Sequence, residues 1–233
     1  MPSYKNPVFV GLDTPDLDTA QALARSVAPH VGGLKLGLEF FTAQGLAGLE
    51  AMAGFGAPVF ADLKFHDIPN TVAGAIRSVL PARPAIVNIH TSGGPAMMEA
   101  ARKTADEAGA DKPLLIGVTV LTSLDEADLG RVGMRGAPAD QVLRLARLAR
   151  ECGLDGVVCS PHEVAMLRAE LGQDFTLIVP GIRPTWSQTG DQKRFTTPKQ
   201  ALEAGADILV IGRPITKAED PAEAAKRIAE ELC

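Results

Sequence analysis

The chain has 233 residues, 46% of them hydrophobic and 22% charged, which suits a globular protein with a sizeable core and excludes a disordered chain. Its net charge of −5 disfavours a general nucleic-acid binder, and no apolar run approaches the length of a membrane span. Aromatic residues are only 4% of the total, so aliphatic side chains must fill the core.

The N-terminal Met1-Pro2-Ser3-Tyr4-Lys5 carries no long apolar stretch of the kind a secretory signal needs. Cys152, Cys159 and Cys233 show no metal-ligand spacing, and they read as reduced thiols of a cytoplasmic protein. Along the chain, roughly eight short apolar strands are separated by amphipathic helical segments. They begin near Val8, Gly33, Val59, Ala85, Leu114, Gly156, Leu177 and Ile208. The spacing, about 25–30 residues, is that of a βα unit.

The helix starts share one chemistry. Thr14-Pro15, Ser160-Pro161, Thr197-Pro198 and Asp220-Pro221 each place a capping side chain before a proline. The side-chain oxygen accepts an orphan N–H, and proline fits the first helical turn because its missing N–H costs nothing there. Ser160 and Glu163 also fit a capping box. After Pro15, Leu17, Ala20, Leu23, Ala24 and Val27 fall on one helical face; Ala224, Ala225, Ile228 and Leu232 do the same in the last helix. At the exits, Gly109 and Gly205 stand where a left-handed residue closes a helix.

A βα repeat of this number and length predicts a closed (β/α)8 TIM barrel of parallel strands, one domain over residues 1–233. A doubly wound open sheet is the runner-up. The longest irregular stretch runs from Arg183 to Thr196, and a loop of that length reads as a lid. The segment from Ser123 to Ala139 starts as loop and gives way to helix.

Polar residues collect at the strand ends, where barrels place their chemistry. Strand one ends at Asp13, strand two at Lys35, and strand three at Asp62 and Lys64. Strand four ends at Asn88-Ile89-His90 and strand five at Thr119 to Ser123. Strand seven ends at Pro180-Gly181-Ile182-Arg183, and strand eight at Gly212-Arg213. Residues two apart on a strand share a face, so Asp62 and Lys64 emerge side by side, with Asp67 following in the loop. Such charges are costly to bury unless they pair. Arg183 and Arg213 follow strands seven and eight, where barrels often bind phosphate, and guanidinium groups grip phosphate in a bidentate way.

The stretch Asp62-Leu63-Lys64-Phe65-His66-Asp67-Ile68-Pro69-Asn70-Thr71 resembles the signature of the orotidine 5′-monophosphate (OMP) decarboxylase family. Val10 to Asp13, Lys35, Val118 to Ser123, Pro180 to Pro184, Gly190-Asp191-Gln192 and Gly212-Arg213 resemble the same family in the same order. The likeness covers nearly the whole chain. It implies a (β/α)8 barrel, a homodimer, and conversion of OMP to UMP and CO2, the last step of de novo UMP biosynthesis, by a carboxy-lyase that uses no cofactor or metal.

Residue by residue, the resemblance implies that Lys64 stabilises and protonates the C6 carbanion. Asp62 and Asp67 hold Lys64, and Lys35 extends the charged network. Asp62 faces the departing carboxylate. Asp13 and Lys35 bind ribose hydroxyls, joined by Asp67 and Thr71 from the partner subunit. Thr122, in preference to Ser123, hydrogen-bonds the pyrimidine. Arg183, Gln192 and Arg213 hold the phosphate, with backbone from Gly212. His66 and His90 read as structural, Trp186 as a lid-packing residue, and Asp111, Asp155 and Asp207 as turn residues at the opposite rim. The competing readings are a Mg2+-dependent sugar-phosphate decarboxylase or hexulose-phosphate synthase of the same barrel group, a Schiff-base aldolase using Lys35 or Lys64, and a catalytically silent nucleotide-phosphate binder.

Overall fold

The computed structural model describes Tyr4 and residues 6–187 and 196–232. Parallel strands β1 (Val8–Gly11), β2 (Gly33–Leu36), β3 (Val59–Phe65), β4 (Ile86–His90), β5 (Leu114–Val118), β6 (Gly156–Val158), β7 (Thr176–Val179) and β8 (Ile208–Ile211) pair in sequence order. β8 closes the barrel on β1. The strands start within one residue of the positions expected from the sequence.

Around them run α1 (Leu17–Val27), α2 (Leu38–Ala53), α3 (Pro69–Val79), α4 (Pro95–Asp106), α5 (Glu126–Arg131), α6 (Pro138–Glu151), α7 (Val164–Leu171), α8 (Pro198–Glu203), α9 (Arg213–Thr216) and α10 (Pro221–Glu231). Thr197 and Asp220 cap α8 and α10 as expected, and Ser160 opens the turn before α7 with Glu163 accepting its N–H. The first helix differs. Its cap is Asp16, whose carboxylate accepts the Thr19 N–H at 2.7 Å, while Thr14 accepts from Asp16. Pro15 therefore precedes the cap instead of opening the helix. Gly205 takes the left-handed position after α8, but Gly109 lies further out, in a tight turn beyond the end of α4.

Strand alternation divides the core in two. Val8, Val10, Leu34, Ala61, Val87, Leu115, Val157, Leu177, Leu209 and Ile211 face outward and pack under the helices. Phe9, Phe60, Ile86, Ile116, Ile178, Ile208 and Val210 point inward and plug the barrel. With few aromatics to spend, the interior relies on two phenylalanines, and β2 gives way to one of them. A Cβ on Gly33 would stand 2.2 Å from the Phe9 ring.

The inward period of two carries the plug into the site. One step further along the strands, Phe60 is followed by Asp62, Ile86 by Asn88, Gly33 by Lys35 and Ile178 by Pro180. The same alternation that fills the barrel floor with hydrocarbon therefore lines its C-terminal mouth with charge.

The opposite rim is tied by two aspartates that do more than turn the chain. Asp155, just before β6, accepts the Leu115 N–H at 2.7 Å and pairs with Arg102 of α4, also at 2.7 Å. Asp207, just before β8, accepts the Leu177 N–H at 2.7 Å and pairs with Arg168 of α7 at 2.5 Å. Each carboxylate clips a helix to the start of a neighbouring strand. Asp111 makes only a loose, exposed pair with Arg83 at 3.8 Å.

Candidate active site

Asp62 sits at the centre of the barrel mouth, 9% exposed. One oxygen accepts from Lys64 Nζ at 2.5 Å and from Asn88 Nδ2 at 2.7 Å. The other stands 3.3 Å from Lys35 Nζ, which also reaches Asp13 at 3.1 Å. Burial alone would raise the Asp62 pKa, but the ammoniums of Lys35 and Lys64 and the hydrogen bonds from Lys64 and Asn88 outweigh it. The carboxyl is held below its ordinary range, and the group is an anion braced between two cations.

Lys64 has φ +50°, in the left-handed region that non-glycine residues enter only at a cost. The β3–β4 pairing shifts register between Ala61 and Phe65, and within that break the Lys64 N–H donates to Asn88 Oδ1 at 2.7 Å. Glycine makes room just past the end of β2. A Cβ on Gly37 would lie 3.2 Å from both Lys35 Nζ and an Asp13 carboxylate oxygen.

Lys35, Asp62 and Lys64 border a cavity of about 220 Å3 whose remaining walls include Val118, Val120, Thr122, Pro180 and Val210. One end of this space is charged and the rest is mostly apolar. Thr122 lines it, whereas Ser123 does not contribute. Beside it, a cavity of about 400 Å3 is lined by Arg183, Trp186, Ser187, Arg213 and Lys217. Arg183 is buried after β7 and Arg213 is exposed at the start of α9, directly after Gly212. The arrangement offers a compact charged pocket next to a cationic one, a layout suited to a phosphorylated ligand with a polar ring.

The match to a known family is extensive. The profile described as the orotidine 5'-phosphate decarboxylase / HUMPS family matches residues 6–228. The chain belongs to this family. It is 56% identical over 233 residues to the orotidine 5'-phosphate decarboxylase of Rhodospirillum rubrum, covering 98% of this chain and 94% of that one. The orotidine 5'-phosphate decarboxylase of Paramagnetospirillum magneticum is 57% identical over 231 residues, with 97% and 98% covered. The crystal structure of the Lactobacillus acidophilus orotidine 5'-phosphate decarboxylase is similar with a TM-score of 0.87 at 35% identity, covering 98% and 99%.

Within this family fold, Asp13, Lys35, Asp62 and Lys64 form one connected chain of ion pairs. Asp67 and Thr71 do not join it. Both are exposed, Asp67 in the β3–α3 connection and Thr71 in the first turn of α3, and Asp67 accepts the Ile68 N–H at 2.6 Å. Among the described residues Asp67 has no ion-pair partner, so within one chain it does not hold Lys64. Ile68 beside it is 68% exposed, an apolar residue in open solvent next to a carboxylate that has no ion pair among the described residues. Gln192, with Gly190 and Asp191, lies outside the described residues, as does Cys233.

His90 is half-buried at the end of β4, its ring 5.3 Å from His66. Burial, with His66 and Lys64, holds its pKa below the ordinary histidine value, against a smaller opposing pull from Asp62. Trp186 packs outward on α10, its Nε1 donating to Glu231 at 2.7 Å and its ring under the Arg227 guanidinium at 4.5 Å. It anchors the stem of the loop that follows β7. Asn88 is the participant that charge patterning on the sequence did not single out. A strand-interior Asn two residues after an inward Ile was the available signal.

Proposed function

We propose that this chain decarboxylates orotidine 5′-monophosphate to UMP and CO2 as the catalytic domain of a cytoplasmic homodimer. The observation that carries the reading is the Asp13–Lys35–Asp62–Lys64 chain of ion pairs facing a small cavity. The decarboxylase names of relatives at 56% and 57% identity support it.

Loss of CO2 breaks the C6–carboxylate bond and leaves the electron pair on C6, an sp2 carbon with no adjacent carbonyl to accept it. The stabilising charge must then come from fixed groups that need no reorganisation. Lys64 supplies it and gives C6 a proton, and the resulting amine regains one from solvent. Asp62, braced by Lys35, holds the Lys64 ammonium and stands where the substrate carboxylate departs.

The remaining roles follow the family likeness, and the two cavities support those of Lys35, Thr122, Arg183 and Arg213. Asp13 and Lys35 bind the ribose hydroxyls, Thr122 bonds the pyrimidine, and Arg183, Arg213, the Gly212 backbone and Gln192 take the phosphate. Asp67 and Thr71 serve the partner's site, which accounts for an exposed carboxylate beside the exposed Ile68. Remote phosphate contacts contribute binding energy that organises the reacting end.

The test is the ultraviolet absorbance of OMP on adding purified protein in EDTA. Loss of the orotidylate spectrum with UMP appearing, abolished in Lys64→Ala, supports the reading. No change with OMP, but turnover of a sugar phosphate once Mg2+ is supplied, would move the protein to the metal-dependent branch of the same barrel group.

A further inference from the structure

We infer that Asn88 is a positioning residue for decarboxylation: its carboxamide sets where the Lys64 ammonium stands relative to Asp62. The inference rests on the function proposed above. Asn88 is fully buried, and one end of its side chain is committed to Lys64 and the other to the carboxylate that pairs with it. Its Oδ1 accepts the Lys64 backbone N–H, and its Nδ2 donates to the Asp62 oxygen that also receives Lys64 Nζ. The amide orientation is dictated by its neighbours, since the N–H must meet an acceptor and the carboxylate a donor.

The need for this residue comes from the backbone. Between Ala61 and Phe65 the β3–β4 ladder loses its register, and Lys64 turns left-handed inside the gap. Asn88 takes up the N–H there and so pins a conformation that the lysine would otherwise leave. A strand residue that slips in phase turns its side chain to the other face. A misplacement of about 1 Å at a reacting group is enough to cost on the order of a hundredfold in rate. The charged and titratable groups around Asn88 are Asp62 and Lys64 on β3, Lys35 on β2, His90 on its own strand and His66 beside it. β5, which pairs with it on the other side, carries none.

Two variants separate positioning from mere packing. Asn88→Leu removes both hydrogen bonds at similar volume. Asn88→Asp keeps an acceptor for the Lys64 N–H and replaces the donor with a second carboxylate against Asp62. Both are measured beside wild type for OMP turnover in EDTA across pH, and for hydrogen exchange at the Lys64 amide. We expect kcat to fall about tenfold or more in each, with KM much less affected. Asn88→Asp should regain rate as pH falls, because two adjacent carboxyls share a proton that restores the donor; Asn88→Leu should not. Exchange at Lys64 should accelerate in Asn88→Leu while β1 and β8 amides keep their protection.

A kcat near wild type in both folded variants, or unchanged Lys64 exchange in Asn88→Leu, overturns the inference. Should Asn88→Leu not fold, Asn88→Asp decides by its pH profile: recovery in acid supports the inference and a profile parallel to wild type overturns it. If wild type itself leaves OMP unchanged, the proposed function fails, and Lys64 exchange decides the role of Asn88 separately.

Discussion

Asp62 and Lys64 are two residues apart on β3 and 2.5 Å apart at their charged ends, but simple strand alternation does not bring them there. Lys64 reaches the pair from a left-handed backbone in a broken stretch of the β3–β4 ladder. Strained backbone of this kind persists only where its surroundings over-determine it. Here Asn88 holds the N–H and Asp62 holds the ammonium. The lysine is thus fixed at both ends, and a fixed charge is what a carbanion with no delocalising neighbour requires.

Lys64→Ala should lower kcat by at least about 10⁴-fold, since on the proposed function it removes both the proton donor and the stabilising charge. The fold should survive, because Asp62 keeps Lys35 at 3.3 Å and Asn88 at 2.7 Å. Spectrophotometric turnover of OMP and a circular dichroism melt on the same sample check both statements. Turnover within tenfold of wild type would remove Lys64 from the chemistry.

Asp62 ties stability to pH in a defined direction. Its folded pKa is depressed, although burial pushes the other way, because Lys35, Lys64 and Asn88 favour the anion. The unfolded carboxyl titrates near the ordinary aspartate value, about 3.9. Its contribution is therefore fully present above that value and disappears as pH falls through the lower folded one. The gap in urea midpoint between wild type and Asp62→Asn should be widest near neutral pH and close in strong acid. A gap that widens on acidification would reverse the assignment of Asp62 as a stabilised anion.

Most of this architecture was readable in the sequence because alternation and capping are local. Strand starts fell within one residue, and the prolines marked the helix entries. The exceptions have physical reasons. Asp16 displaces Thr14 as the cap of α1 because a carboxylate right before the helix reaches the Thr19 N–H. Asp155 and Asp207 resemble turn residues in one dimension, yet each meets an arginine from a distant helix. Asn88 is legible as a polar end of strand four but not as a participant, because it carries no charge and its work depends on a register shift that no periodicity encodes. Asp67 is legible as the loop carboxylate after β3, but its role and that of Thr71 come only from family likeness, and in a single chain both are exposed and outside the network of ion pairs.

Arg213→Ala should reduce kcat/KM by about 10²–10³-fold while leaving the melt unchanged. Arg213 is exposed at the start of α9 and lines the cationic cavity with Arg183, so its loss removes the proposed phosphate grip without opening the core. If phosphate binding organises the reacting end, part of the loss should appear in kcat and not only in KM. Steady-state kinetics with OMP separate the two, and an unchanged kcat/KM would sink the phosphate assignment.

The far rim offers the converse experiment, a large stability change with no change in chemistry. Arg168 is buried, and its guanidinium donates to the carbonyls of Gly172, Phe175 and Gly205 as well as pairing with Asp207. Asp207→Ala strips that cation of its only carboxylate among the described residues and leaves the Leu177 N–H without its acceptor. Removing one partner of a buried pair costs about 3 kcal/mol, or roughly 6–12 °C in a chain of this size. Arg83→Ala, which breaks an exposed pair with Asp111 at 3.8 Å, should cost under about 1 kcal/mol. Both variants should keep the wild-type kcat at temperatures where they are folded, because each lies at the rim opposite Asp62 and Lys64. Equal thermal shifts in the two would mean that Asp207 acts as a plain turn residue and not as the clip between α7 and β7.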